Sequence, residues 1–100
     1  MSSITGCYMV VLAMGKFDRK VSGPELQDVV LLSRSTVEKA MVALVKGGVV
    51  ITTRGTNGGY DLAKPFDTIT VGDLSACVDP RSQFERLLHK KSKDLLIKDL

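Results

Sequence analysis

Two helix-start signals stand close together in the first half of this chain, and a glycine-rich bend between two β-branched stretches follows them. The first is Ser22-Gly23-Pro24-Glu25 and the second Ser35-Thr36-Val37-Glu38. In each, a glutamate follows a serine by three residues, so that hydroxyl and carboxylate can cap one another's free backbone N–H groups. Pro24 suits a first helical turn, where its missing N–H costs nothing. The stretch ELQDVVLL then predicts a short helix ending near Leu32. Behind the second signal Val37, Ala40, Met41 and Leu44 recur at helical spacing as one apolar stripe. Ser33 is an alternative cap for this helix, and Gly47-Gly48 ends it. Two capped helices joined by about three residues predict a helix-turn-helix.

VVITTR (Val49 to Arg54) reads as a strand and YDLAK (Tyr60 to Lys64) as its partner. The bend between them, GTNGG, is a hairpin tip, because Asn and Gly accept positive φ at low cost. A flexible tether would not be bracketed by strands. Nor is the bend a phosphate loop, since the required Lys-Ser/Thr ending is missing. Gly55, Gly58, Gly59 and Tyr60 are expected to shape it, with Tyr60 packing at its base. A helix-turn-helix followed by a hairpin is a winged helix, so the expected fold is mainly α with a small β-hairpin.

The flanks complete this plan. Ser3 to Gly15 is apolar nearly all round, which predicts a buried helix. Thr70 and Asp73 cap a further short helix running to about Val78, and Asp79-Pro80 breaks it. Ser82 to Leu100 is expected to form one charged amphipathic helix, with Phe84, Leu87, Leu88 and Leu95 near one face and a phase that drifts after Lys91. The expected organisation is a winged helix over residues 1–80 and a dimerisation element over 81–100. A chain of 100 residues, 44% apolar, buries only a thin core, and self-association is a natural supplement.

Other classes of function find little support. The longest apolar run, Cys7 to Met14, is too short to span a bilayer, and the start MSSITG lacks a basic signal region. A cytoplasmic protein without a membrane partner is expected. Cys7 and Cys77 form no CxxC pair and have no neighbouring His, so they are read as buried, inert thiols, with no metal site and no cofactor. The sole histidine, His89, lies in the charged tail without a nucleophile to serve, and no enzymatic constellation is visible.

The net charge is +3, unevenly placed. Residues 30–64 hold five basic and two acidic groups, residues 65–80 three aspartates and no base, and residues 81–100 six basic and three acidic groups. A basic middle is compatible with a polyanion. With the apolar stripe turned inward, Ser33, Arg34, Ser35, Glu38 and Lys39 are left at the exposed N-terminal end of the second helix. Hydroxyls and helix N-terminal amides suit phosphate, Arg34 and Lys39 add charge, and Glu38 can accept from a cytosine amino group. Arg54 is the wing's minor-groove or phosphate contact, and Thr56 and Asn57 complete the candidate DNA-binding set. The alternative is a winged-helix adaptor that binds protein and not DNA.

The densest stretch, STVEKAMVALVKGGVVITTRGTNGGYDLAKPFDTITVGDL, resembles the Rrf2 (IscR/NsrR/CymR-type) winged-helix transcription regulators. The resemblance covers roughly residues 3–80. It rests on Val37-Glu38, on the turn Leu44 to Val50, on the R-G-x-x-G-G-Y-x-L wing of Arg54 to Leu62, and on the helix start Ile69 to Asp73. It implies a homodimeric, sequence-specific DNA-binding regulator, usually a repressor, on a pseudo-palindromic site, with family contacts carried onto Ser33, Ser35, Glu38 and Arg54. The C-terminal dimerisation helix of the family corresponds to Ser82 to Leu100, which is short by comparison. Cluster-binding members carry three closely spaced cysteines after the helix that starts near Val71. Here that region offers only Cys77, so no iron–sulfur cluster is expected. Where the family often has Arg before the first-helix Tyr, Cys7 precedes Tyr8. An effector, protein or small molecule, is left unidentified.

Overall fold

The computed structural model describes residues 3–17, 19–55, 58–79 and 82–100. Its helices are α1 (Ser3–Gly15), α2 (Gly23–Val29), α3 (Arg34–Lys46), α4 (Val71–Ser75) and α5 (Gln83–Ser92). Its strands are β1 (Val50–Thr53) and β2 (Gly59–Leu62), and 3-10 turns occupy Phe66–Thr68 and Ile97–Asp99. α1 lies at the centre, touching α2, α3, α4, β2 and the last 3-10 turn. That position explains its sequence: Cys7, Val10, Val11, Ala13 and Met14 are buried, and Ile4, Tyr8 and Leu12 are partly buried against the core as well, so apolar residues are needed on most of its surface. Around α1 the core takes Leu26 from α2, Val37, Ala40, Met41 and Leu44 from α3, Val50 from β1, and Ile69, Leu74 and Ile97 from the C-terminal third.

α2 opens with the reciprocal cap the sequence predicts: Ser22 Oγ accepts from the Glu25 N–H at 3.2 Å and the Glu25 carboxylate accepts from the Ser22 N–H at 3.1 Å. It ends at Val29, three residues short of expectation. Val30 leaves the helix in an extended conformation and buries its side chain, whereas Leu31 is 93% exposed. Turning Val30 into the core stops the helix, and Gln27 Nε2, donating to the Leu32 carbonyl at 2.7 Å, fixes the turn that follows.

α3 starts at Arg34, capped by Ser33, whose Oγ accepts from the Thr36 N–H at 3.2 Å. The second sequence signal is thus displaced: Ser35 lies within the first turn, and Glu38 pairs with Arg34 in place of capping. At the other end the Val49 N–H reaches the Leu44 carbonyl at 2.9 Å and the Gly48 N–H that of Val45 at 3.1 Å. With Gly48 at φ +80°, this is a Schellman closure, sealed by buried Leu44 and Val49.

The hairpin pairs Val50 with Leu62, Ile51 with Asp61, Thr52 with Tyr60 and Thr53 with Gly59, antiparallel, so each strand is shorter than the sequence suggests. A third segment joins it. Val21 and Tyr60 exchange N–H···O bonds of 2.9 and 2.7 Å, tying the wing to the entry of α2. Gly59 permits this, since a Cβ there would stand 2.7 Å from the Val21 carbonyl oxygen.

The expectation of one helix from Ser82 to Leu100 is corrected. α5 ends at Ser92, and the chain turns back beside α4. There the Val71 N–H donates to Leu95 O at 2.8 Å, Gly72 N–H to Lys93 O at 2.9 Å and Ile97 N–H to Ile69 O at 2.8 Å. Ile97 is 1% exposed. Its burial in the core draws the chain out of the helix, which is why the apolar phase drifts after Lys91, and Leu95 stands outside α5. α4 is also shorter than expected, ending at Ser75 with turns to Val78.

Candidate nucleic-acid interface

The stripe Val37, Ala40, Met41 and Leu44 anchors α3 in the core and decides which residues face out. Arg34, Ser35, Glu38, Lys39, Val42, Val45 and Lys46 are exposed, as is the capping Ser33. Ser33 is occupied locally: beyond the Thr36 N–H, its Oγ lies 2.8 Å from Thr36 Oγ1 and 3.4 Å from Ser35 Oγ. Arg34 Nε donates to Glu38 Oε1 at 3.0 Å, which leaves the other guanidinium nitrogens and the second carboxylate oxygen open to water. Among the described residues, Lys39, Lys46 and Arg54 have no acidic partner.

An open groove of about 1010 Å³ runs along this face. Its floor is α3, with Arg34, Glu38, Val42, Val45 and Lys46; one wall is Gly23, Pro24, Gln27 and Asp28 at α2, and the other is Thr52 and Tyr60 of the wing. The structure thereby brings Arg34 and Glu38 together with the wing strand. Arg54 is exposed just beyond β1, and Gly55 follows at φ +105°. Ser35 and Lys39 are exposed on α3 but do not line the groove. Thr56 and Asn57 lie outside the described residues. The Gly58 N–H donates to Gly55 O at 2.9 Å, and a Cβ on Gly58 would collide with the Thr53 carbonyl. Half-buried Tyr60 packs against the core at the base of the wing.

Sequence reasoning did not single out Val42, Val45, Lys46, Gln27 or Asp28. Val42 left a trace: it falls off the buried stripe and is 67% exposed, an apolar residue on the polar side of its helix.

α5 carries a second exposed set. Phe84, Leu87 and Leu88 are 74%, 54% and 53% exposed, and Leu95, beyond the helix, is 50% exposed. α5 has no buried residue.

A capped helix-turn-helix with its second helix exposed beside a hairpin defines a winged-helix DNA-binding protein of the transcription-regulator class. Residues 2–96 match the Rrf2 family, described as an iron-dependent transcriptional regulator; the chain belongs to that family, whose members are regulators and not enzymes. Solved structures agree in fold. CymR (YrzC), the global cysteine regulator of B. subtilis, is 19% identical with TM-score 0.70, over 99% of this chain and 93% of that one. IscR of T. potens is 20% identical with TM-score 0.69, over 97% and 78%. The oxidised form of S. aureus CymR is 18% identical with TM-score 0.69, over 98% and 91%.

The described residues do not fit a resident iron or iron–sulfur group. Among the described residues no three His, Cys, Asp or Glu side chains come together as ligands. Cys7 is fully buried; its burial, and secondarily Cys77, push its thiol up to about 11. Cys77 donates to the Asp73 carbonyl at 3.3 Å and lies against the Cα of Gly47. Burial, then Asp73, raises its thiol as well. A ligating or reactive thiol needs the opposite shift. Among the described residues no helix is long and apolar enough to cross a membrane.

Proposed function

We propose that this chain acts in the cytoplasm as a homodimer that reads a pseudo-palindromic DNA site and represses transcription by occupying it. The observation that carries this is the shared groove: exposed residues of α3 and of the wing strand line one open surface. The N-terminal end of α3 enters the major groove, with Glu38 accepting from a cytosine amino group. Arg34, Lys39 and Arg54 neutralise phosphates, and Ser33 and Ser35 add hydroxyl contacts. Thr56 and Asn57 extend the wing's contact. Two copies pair through the α5 face of Phe84, Leu87 and Leu88, with Leu95 beside it, and set two α3 helices about one DNA turn apart.

The test is selection of bound duplexes from a random pool at low and moderate salt. The expected result is one enriched palindromic motif whose affinity falls steeply with salt. Recovery of no motif, with no salt-dependent duplex binding, sinks the reading and favours a protein-binding adaptor.

A further inference from the structure

Val42 is a hydrophobic residue in the wrong place for folding. It lies one turn beyond Glu38 on α3, 67% exposed, while the helix already commits Val37, Ala40, Met41 and Leu44 to the core. It is not among the buried residues of the core. It lines the open groove with Arg34, Glu38 and Lys46 of its own helix, Asp28 of α2 and Thr52 of the wing, two bases and two acids. An apolar spot among polar and charged neighbours suits one feature of the DNA major groove, the C5-methyl of thymine, the apolar group exposed among the base-edge donors and acceptors. Arg34 and Lys46 can meet phosphate while the valine meets the methyl.

We infer that Val42 is a specificity-determining residue that selects thymine by contact with its C5-methyl. The inference rests on the DNA reading above and deepens it. Glu38 and Val42 are four residues apart, about 6 Å along a helix axis. Base steps are about 3.4 Å. The thymine therefore lies within about two steps of the base pair that Glu38 reads, on either strand.

The test uses the full chain and the duplex recovered by selection. Each thymine of one half-site is replaced in turn by deoxyuridine, which removes the methyl and keeps every hydrogen-bonding group. Affinities are measured for the unaltered protein and for Val42→Ala, a surface change that leaves the core intact. The expected result is one thymine, within two steps of the Glu38-dependent pair, whose replacement weakens binding about fourfold, the value of one buried methyl-sized group. In Val42→Ala that sensitivity drops to near onefold, while sensitivity to Glu38→Ala persists at its own position. The inference is overturned if no thymine responds, if Val42→Ala keeps the response, or if the selected half-site has no thymine within that distance. Those outcomes leave the DNA reading standing. Failure of the unaltered protein to bind any duplex removes both.

Discussion

Arg34 Nε donates to Glu38 Oε1 at 3.0 Å, across one turn of α3, with the two side chains 86% and 63% exposed. A pair so exposed adds little to stability. Arg34→Ala is expected to change folding stability by less than about 0.5 kcal/mol. It should weaken every duplex similarly and lower the salt slope by about one, as loss of a phosphate contact does. Glu38→Ala should instead relax preference at one base pair by about 1–3 kcal/mol. Gel-shift titrations across salt separate the two; equal behaviour of both variants would contradict the division of roles.

Ser33 and Ser35 compete in the sequence for the cap of α3, and only Ser33 takes it. Ser33→Ala is expected to cost about 1 kcal/mol of stability, and Ser35→Ala no more than about 0.5 kcal/mol. Urea midpoints of the two variants decide this. The reverse order would mean that α3 begins two residues later.

These serines show what was legible in the sequence. Helix starts, the hairpin and the α3 stripe follow from local chemistry: a hydroxyl three residues before a carboxylate, apolar residues at helical spacing, glycines between β-branched runs. What the sequence leaves open depends on tertiary contacts. Val30 and Ile97 are ordinary apolar residues until the core claims them, and α2 and α5 each end before reaching them. Val42 was passed over for the same reason: one valine off the stripe reads as noise until its exposure is seen.

Gly59 stands opposite Val21, where a Cβ would come within 2.7 Å of a backbone oxygen that cannot rotate away. Gly59→Ala is expected to destabilise the fold by about 1–3 kcal/mol, through loss of the bridge that ties the wing to α2. Gly48, at φ +80°, should cost about 1–2 kcal/mol as Ala for backbone strain alone. Hydrogen exchange distinguishes them: Gly59→Ala should release the Val21 and Tyr60 amides, and Gly48→Ala the Val49 amide. Unchanged protection in either variant would refute its stated cause.

Glu25 couples the fold to pH. Its hydrogen bond from Arg19, then the Ser22 N–H, holds its carboxyl down to about 2 from the ordinary 4.5. A depressed folded value means that ionised Glu25 favours the native state. Its contribution is complete above the ordinary carboxylate value and is lost as pH falls from about 4.5 toward about 2. Asp73 acts in the same direction: burial opposes its ionisation, but the Lys64 ammonium at 2.7 Å and the Thr70 N–H outweigh it and lower its value. Denaturation midpoints between pH 6 and pH 2 should fall for the unaltered protein, and less for Glu25→Gln. Parallel curves would show that the Arg19 pairing does not form in solution.

α5 supplies the last expectation. An amphipathic helix with Phe84, Leu87 and Leu88 between 53% and 74% exposed gains little by folding unless something covers that face. A second copy of α5 is the partner of matching pattern, and a palindromic site requires two copies in any case. The unaltered protein should therefore sediment at twice the 10.8 kDa chain mass, and Leu87→Glu/Leu88→Glu at once that mass. Because α5 buries no residue of its own, the variant should keep its α1-centred core. It should bind an isolated half-site as the unaltered chain does and lose the additional affinity for the full palindrome. A monomeric unaltered protein, or a dimer that survives both glutamates, would place the pairing surface elsewhere.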